Sequence, residues 1–116
     1  MKRSIIFYRM DDGKCPVEDF IDSLSDKIAQ KVIAVFKLIE DADLVSSKFF
    51  KKLSGSDLWE CRITWKSDIF RFLGFFDKNN IVILTNGFQK KTQKTPLSEI
   101  DRAVKYMYEY KRRNKK

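Results

Sequence analysis

LWECRITWKSDIFRFLGFFDKNNIVILTNGF, residues 58–88, decides the fold. In its first third Trp59, Cys61, Ile63 and Trp65 alternate with Leu58, Glu60, Arg62 and Thr64. A period of two puts one set on each side of a strand, so this strand has an apolar face and a largely polar one. Lys66-Ser67-Asp68 supplies a turn. IFRFLGFF (69–76) is a second strand, apolar except for Arg71. Asp77-Lys78-Asn79-Asn80 carries hairpin-turn residues, and IVILTNGF (81–88) is a third strand. Three strands joined by short turns predict an antiparallel meander.

Upstream, the run Ile5–Tyr8 ends at Asp12-Gly13, which predicts a short strand and a turn. Pro16 suits the first turn of a helix, and Val17, Phe20, Ile21 and Leu24 follow at helical spacing. Ser25-Asp26 marks a second helix start, with Ile28, Val32, Val35, Phe36 and Ile39 along one face as far as Asp41. Downstream of the meander, Thr95-Pro96 is expected to cap a last helix that turns Leu97, Ile100, Val104 and Met107 inward. Tyr106, Tyr108 and Tyr110 cannot all face the core, so at least one should be exposed. The expected order is β-α-α-β-β-β-α, an α+β domain with helices against one side of a small antiparallel sheet. Residues 1–110 form a single domain in this scheme, and KRRNKK (111–116) a frayed basic tail.

The chain has 116 residues, enough for one core, and its sixteen aromatics include ten Phe, which argues for a folded protein. The net charge of +8 is unevenly spread. Residues 1–45 carry seven basic and nine acidic side chains, whereas residues 46–116 carry seventeen and seven. The second part is electropositive, and polyanions are its natural partners. Cys15 and Cys61 stand far apart without a CxxC, and the chain has no His. Those facts exclude the usual zinc spacings and any His-based triad, and they make two reduced thiols the expectation. No apolar run suits a signal peptide or a membrane span, so a soluble, cytoplasmic protein is expected.

Chemistry points to the basic residues. Arg71 lies in an otherwise apolar strand, where a charge must reach solvent or find a partner. Arg62 shares the polar face of the preceding strand with Glu60, and an Arg–Glu cross-strand pair dressing the sheet would account for it without any function. Lys90, Lys91 and Lys94 follow the third meander strand directly, either as a solvated loop or as a strip aimed at phosphate. Arg grips phosphate oxygens in bidentate fashion, while Lys offers a point charge and a movable proton. Lys51 and Lys52 add charge on the segment leading into the sheet, and Thr92 and Gln93 could donate to phosphate or base edges. Most of the aromatics fall on strand-interior positions and are expected in the core rather than against bases. There is no Gly-rich phosphate loop and no metal-like cluster of acidic residues, so any catalysis is expected to need neither metal nor cofactor.

The segments GKCPVEDFIDSL (13–24), FFKKLSGSDLWECRI (49–63), FRFLGFF (70–76) and above all NGFQKKTQKTPLSEIDRA (86–103) resemble the phage-derived, HigB-like branch of the RelE/ParE toxin superfamily. The resemblance runs from about Ile5 to Tyr110, and its most specific part is the GF-x-KKTQKTP-x-x-EI-x-x-A pattern. It implies a RelE-like fold and a toxin of a type II toxin–antitoxin pair. Such toxins cut mRNA on the translating ribosome and are neutralised by a cognate antitoxin, often a helix-turn-helix protein. By resemblance Arg62, Arg71, Lys90, Lys91 and Lys94 form the basic active face, flanked by Lys51 and Lys52. Metal-free RNA cleavage requires deprotonation of a 2′-hydroxyl, stabilisation of a phosphorane and protonation of the leaving oxygen. Arg71 is expected to stabilise the phosphorane with Arg62 beside it, and Lys91, its pKa lowered by neighbouring cations, to move a proton. Family members often use a His or a C-terminal Tyr there. This chain has no His and no matching Tyr motif, so the general base stays open. Two other functions fit the same charge: a ParE-like DNA gyrase inhibitor, and a non-catalytic nucleic-acid-binding module.

Overall fold

The computed structural model describes residues 2–90 and 94–115. The elements run β1 (Ser4–Phe7), α1 (Pro16–Asp22), α2 (Asp26–Asp41), β2 (Phe50–Lys52), β3 (Trp59–Trp65), β4 (Asp68–Asp77), β5 (Ile81–Lys90) and α3 (Leu97–Arg113). Five strands make one sheet in the order β1-β5-β4-β3-β2. β1 pairs with β5 in parallel, and every other neighbouring pair is antiparallel.

The α+β class and the meander β3-β4-β5 are as expected, but the sheet has a fourth antiparallel strand. β2 spans three residues, FKK, too few to show a period, and its pairing of Phe50 with Cys61 is what makes it a strand. The expectation that the helices cover one side also fails. α1 and α2 lie against the face that carries Cys61, Ile63, Phe70, Phe72, Val82 and Leu84. α3 lies against the other face, over Leu73, Phe75, Ile83 and Phe88. The reason is visible in β4, where Phe70 through Phe75 are all buried. A strand without polar alternation is covered on both faces, and only a second helical layer can cover it. Burying each of these Phe side chains contributes about 1.5–3 kcal/mol.

Local signals set the helix starts. Pro16 stands in the first turn of α1, and the Ser25 hydroxyl accepts from Ile28 N at 3.4 Å to cap α2. α3 departs from expectation at both ends. Pro96 is its N-cap, without a side-chain cap, and Leu97 is 76 % exposed rather than inward. At the far end the helix continues to Arg113, into residues expected to fray. Arg113 donates to Arg9 O at 2.7 Å and lies over the Tyr8 ring, which holds that last turn in place. Ala103, Tyr106 and Met107 are the buried residues of α3, and Tyr108 is the exposed tyrosine. Both cysteines are free and buried. Among the described residues no helix is long and apolar enough to cross a membrane.

Candidate phosphate-facing site on the sheet

Strand register brings the basic residues together. Arg62 stands directly opposite Arg71, and Ile69 of the same strand stands opposite Lys90. Glu60 is opposite both Lys51 and Leu73. Alternation therefore puts Lys51, Glu60, Arg62, Arg71 and Lys90 on the α3 face. Lys52 faces the other way, opposite Trp59.

Two arginines directly opposite each other repel, and Glu60 offsets that charge. Arg71 Nη1 donates to Glu60 Oε1 in a buried ion pair, and the Thr95 hydroxyl donates to Glu60 Oε2 at 2.9 Å. Glu60 is 1 % exposed and Arg71 is 6 % exposed. Arg71 Nε is enclosed and has no hydrogen-bond partner among the described residues. The charge in this apolar strand has therefore found its partner on the neighbouring strand, and the pair is interior rather than a surface dressing. Thr95, expected as the helix cap, instead ties the start of α3 to the sheet.

A second tie supports the first. Asn86 is buried, and its Nδ2 donates to Glu99 Oε1 at 3.0 Å and to Glu99 O at 3.3 Å. It sits beside the bulge where Leu73 pairs with Asn86 and Gly74 with Leu84. A bulge re-aims the strand beyond it, here the segment Asn86–Lys90 that carries Lys90 to the site. Glu99 and Thr95 thus fix both the first turn of α3 and the chain just before it.

Lys90 is half-buried, and its ammonium is held below the usual lysine value, first by burial and then by the Arg71 charge. Glu60 opposes that shift, while Arg62 and Lys51 add to it. A lowered pKa was expected of Lys91. Lys91, Thr92 and Gln93 lie outside the described residues, and Lys94 is exposed just before Thr95. Arg62 is half-buried and also lines a cleft of about 170 Å³ with Lys31, Val35, Lys48, Phe49 and Thr64. Lys31 and Lys48 could not be picked out from sequence, because nothing local links α2 to β3. The Glu60–Thr95 contact escaped notice as well, although period-two alternation already put Glu60 beside Arg62.

Chemically, this arrangement is able to receive an anion. Arg62 can donate to phosphate oxygens, and Lys90 can lose or accept a proton nearer neutrality than an ordinary lysine. The buried Arg71–Glu60 pair fixes the strand geometry between them. Among the described residues, no group of three or more Asp, Glu or Cys side chains is placed to hold a metal ion.

The model of one protein family, described as phage derived protein Gp49-like (DUF891), matches residues 19–108, most of the chain and all of the elements from α2 to β5. No curated protein matches it significantly.

Proposed function

The chain belongs to the family of phage-derived Gp49-like proteins, and on that premise we propose that it is the toxin of a type II toxin–antitoxin pair. In this proposal it cuts mRNA on the ribosome without a metal, halts translation, and is neutralised by a cognate antitoxin of helix-turn-helix type. The resemblance of NGFQKKTQKTPLSEIDRA to HigB-like toxins supports the reading. The observation that carries it is the convergence of Arg62, Arg71 and Lys51 on the half-buried Lys90, where burial first, and then the Arg71, Arg62 and Lys51 charges, lower the affinity of that lysine for its proton.

Arg62 is the group that meets the phosphate, because it is half-buried where Arg71 is enclosed. Its guanidinium stabilises the charge that develops on the phosphorane oxygens. Lys90 moves the proton, taking it from the 2′-hydroxyl as the neutral amine or giving it to the leaving oxygen as the ammonium. Arg71 and Glu60 act through position, holding β3 and β4 so that Arg62 and Lys90 face one phosphate. Lys51 adds field at the rim.

Expression of the chain without its antitoxin tests this. The expected result is arrested translation with mRNA ends mapped to ribosome-occupied codons. Arg62→Ala should lower the cleavage rate by about 10²–10³, the usual loss when one donor to a developing oxyanion is removed. DNA damage with intact mRNA would favour gyrase inhibition instead, and absence of any growth effect would refute both toxin readings.

A further inference from the structure

The cleft between α2 and the edge of β3 lies beyond the face that holds Lys90. Its walls are Lys31 and Val35 of α2, Lys48 and Phe49 of the turn before β2, and Arg62 and Thr64 of β3. Three of those six residues are cations and none is acidic. Among the described residues Lys31, Lys48 and Arg62 take part in no ion pair. Three like charges around one cleft repel each other, and an anion bound among them offsets that cost.

The walls are also fixed. Phe49 N and Phe50 N both donate to Ser46 O, at 3.0 and 3.2 Å, and close the turn that carries Lys48. Lys48 N donates to Ser46 Oγ at 3.1 Å, and Arg62 N donates to Phe49 O at 2.8 Å, which locks the turn to β3. Val35 is 5 % exposed and forms the floor. The Lys48 ammonium rests 5.9 Å from the Phe49 ring centroid, a cation–π contact between two residues that both line the cleft. Thr64 adds a hydroxyl on the exposed side. Binding here requires little ordering of the backbone, and what it orders is the exposed Lys31 and Lys48 side chains.

We propose that this cleft is a second phosphate subsite, which holds a backbone phosphate of single-stranded RNA flanking the one at Lys90. The inference rests on the nuclease reading for its ligand and goes beyond it in naming a track. Arg62 is the hinge of that track, since it faces Arg71 across the strands and lines the cleft at the same time. An RNA strand that passes from Lys90 over Arg62 reaches Lys48 and Lys31 around the sheet edge. Phosphate contact, rather than base readout, makes the subsite tolerant of sequence.

The test uses a short, labelled, 2′-O-methylated oligouridylate, which cannot be cut, and fluorescence anisotropy across a salt series. The variant Lys31→Glu/Lys48→Glu should bind about tenfold or more weakly than the wild type at moderate salt. Its slope of log K against log salt should fall by about 0.7 for each phosphate that the protein no longer neutralises. Lys2→Glu/Lys78→Glu, exposed lysines elsewhere with the same change of net charge, should bind within about twofold of the wild type. Lys31→Ala/Lys48→Ala covers the case in which the glutamates disturb folding, and it should show the same order of effects in weaker form. Unchanged binding in the cleft variants, an equal loss in the control, or no binding by the wild type overturns the proposal. Mapping mRNA ends with the same proteins separates the two readings. RNA held in this cleft by a chain that cuts nothing refutes the nuclease and keeps the subsite, whereas cutting with cleft-independent binding does the reverse.

Discussion

Arg71 donates to the Glu60 carboxylate in an interior where the two side chains expose 7 % and 1 % of their surface. They are diagonal neighbours, since Glu60 stands opposite Leu73 and Arg71 opposite Arg62. The pair therefore neutralises one of two facing guanidiniums and leaves the other, Arg62, to the solvent side. Desolvating both charges consumes most of their attraction, so the pair's contribution lies in which geometry it selects rather than in net stability.

Removing only one partner is costly for that reason. Glu60→Ala strands a buried guanidinium and should cost about 3–5 kcal/mol, read as a lower urea midpoint. Glu60→Leu/Arg71→Met removes both charges and should be near neutral in stability. The double variant should nevertheless lose the proposed toxicity, because the buried pair no longer fixes how the Arg62 and Lys90 side chains stand on the strands that the register brings together. Full toxicity in a folded double variant would remove the pair from the mechanism.

Thr95 offers a milder probe of the same network. Thr95→Val keeps shape but withdraws the hydroxyl from Glu60 Oε2, and should cost about 1.5–3 kcal/mol, the range for a hydrogen bond to a charged acceptor. Thr95→Ser keeps the donor and should recover most of that loss. If the valine and serine variants unfold at the same denaturant concentration, the hydroxyl contributes nothing and the tie is incidental.

What could be read in the sequence followed the range over which each signal acts. The alternation in 58–65 and the helix signals at Pro16 and Ser25 are local, so β3, α1 and α2 were legible to within a residue or two. β2 was not, because three residues carry no period and its strand character comes from Cys61 across the sheet. The two-sided cover was written in the unbroken run Phe70–Phe75, but a run says that both faces are buried without saying by what. The site divided in the same way. Period two placed Arg62 with Glu60, whereas the partners Arg71–Glu60 and Thr95–Glu60, and the lysines that line a cleft with Arg62 (Lys31 of α2 and Lys48 of the turn before β2), depend on registers and packing that no short window contains.

Close backbone approach makes a third prediction. A Cβ on Gly74 would lie 2.4 Å from Ile83 O and 2.9 Å from Leu84 Cδ2, so the bulge between β4 and β5 must open to admit it. On Gly87 a Cβ would meet the rings of Phe72 at 2.5 Å and Phe20 at 2.8 Å. Gly74→Ala should cost about 3 kcal/mol and Gly87→Ala about 1–2 kcal/mol, because a ring can shift where a backbone carbonyl in a ladder cannot. Calorimetric midpoints in the reverse order would show that the bulge is more pliable than the ring stack.

Lys90 connects the site to pH. Burial and the Arg71 charge lower its pKa below the ordinary lysine value of 10.5, so the folded chain gives up this proton at a pH where the unfolded chain still holds it. In that alkaline interval below 10.5 the unfolded state binds more protons, and stability rises with pH. Lys90→Met should erase the rise, as thermal midpoints across the interval would record. Cleavage by the wild type should climb as the neutral amine forms if Lys90 takes the 2′-hydroxyl proton, and fall if it protonates the leaving oxygen. A rate independent of pH through this interval would take Lys90 out of proton transfer.

The docking of α3 should weaken at high pH through two phenols. Tyr8 donates to Glu109 Oε2 at 2.6 Å, and Tyr110 donates to Asp77 Oδ2 at 2.7 Å, so each phenol bridges α3 to the sheet side of the fold. Burial, and then the accepting carboxylate, push both pKa values from 10.0 up to about 12. The folded chain keeps these protons where the unfolded chain has lost them. Their contribution is complete below pH 10.0 and disappears as pH rises toward about 12. Tyrosinate absorbance should show two late-titrating phenols whose ionisation coincides with loss of helical circular dichroism. Tyr8→Phe should cost about 1.5 kcal/mol at neutral pH, the low end for a hydrogen bond to a charged acceptor, and should flatten the alkaline decline. It keeps the ring that stacks on Tyr106 at 5.0 Å between centroids, so a larger loss would mean that the ring had moved. An unchanged alkaline profile in Tyr8→Phe/Tyr110→Phe would show that α3 is held by its apolar face alone.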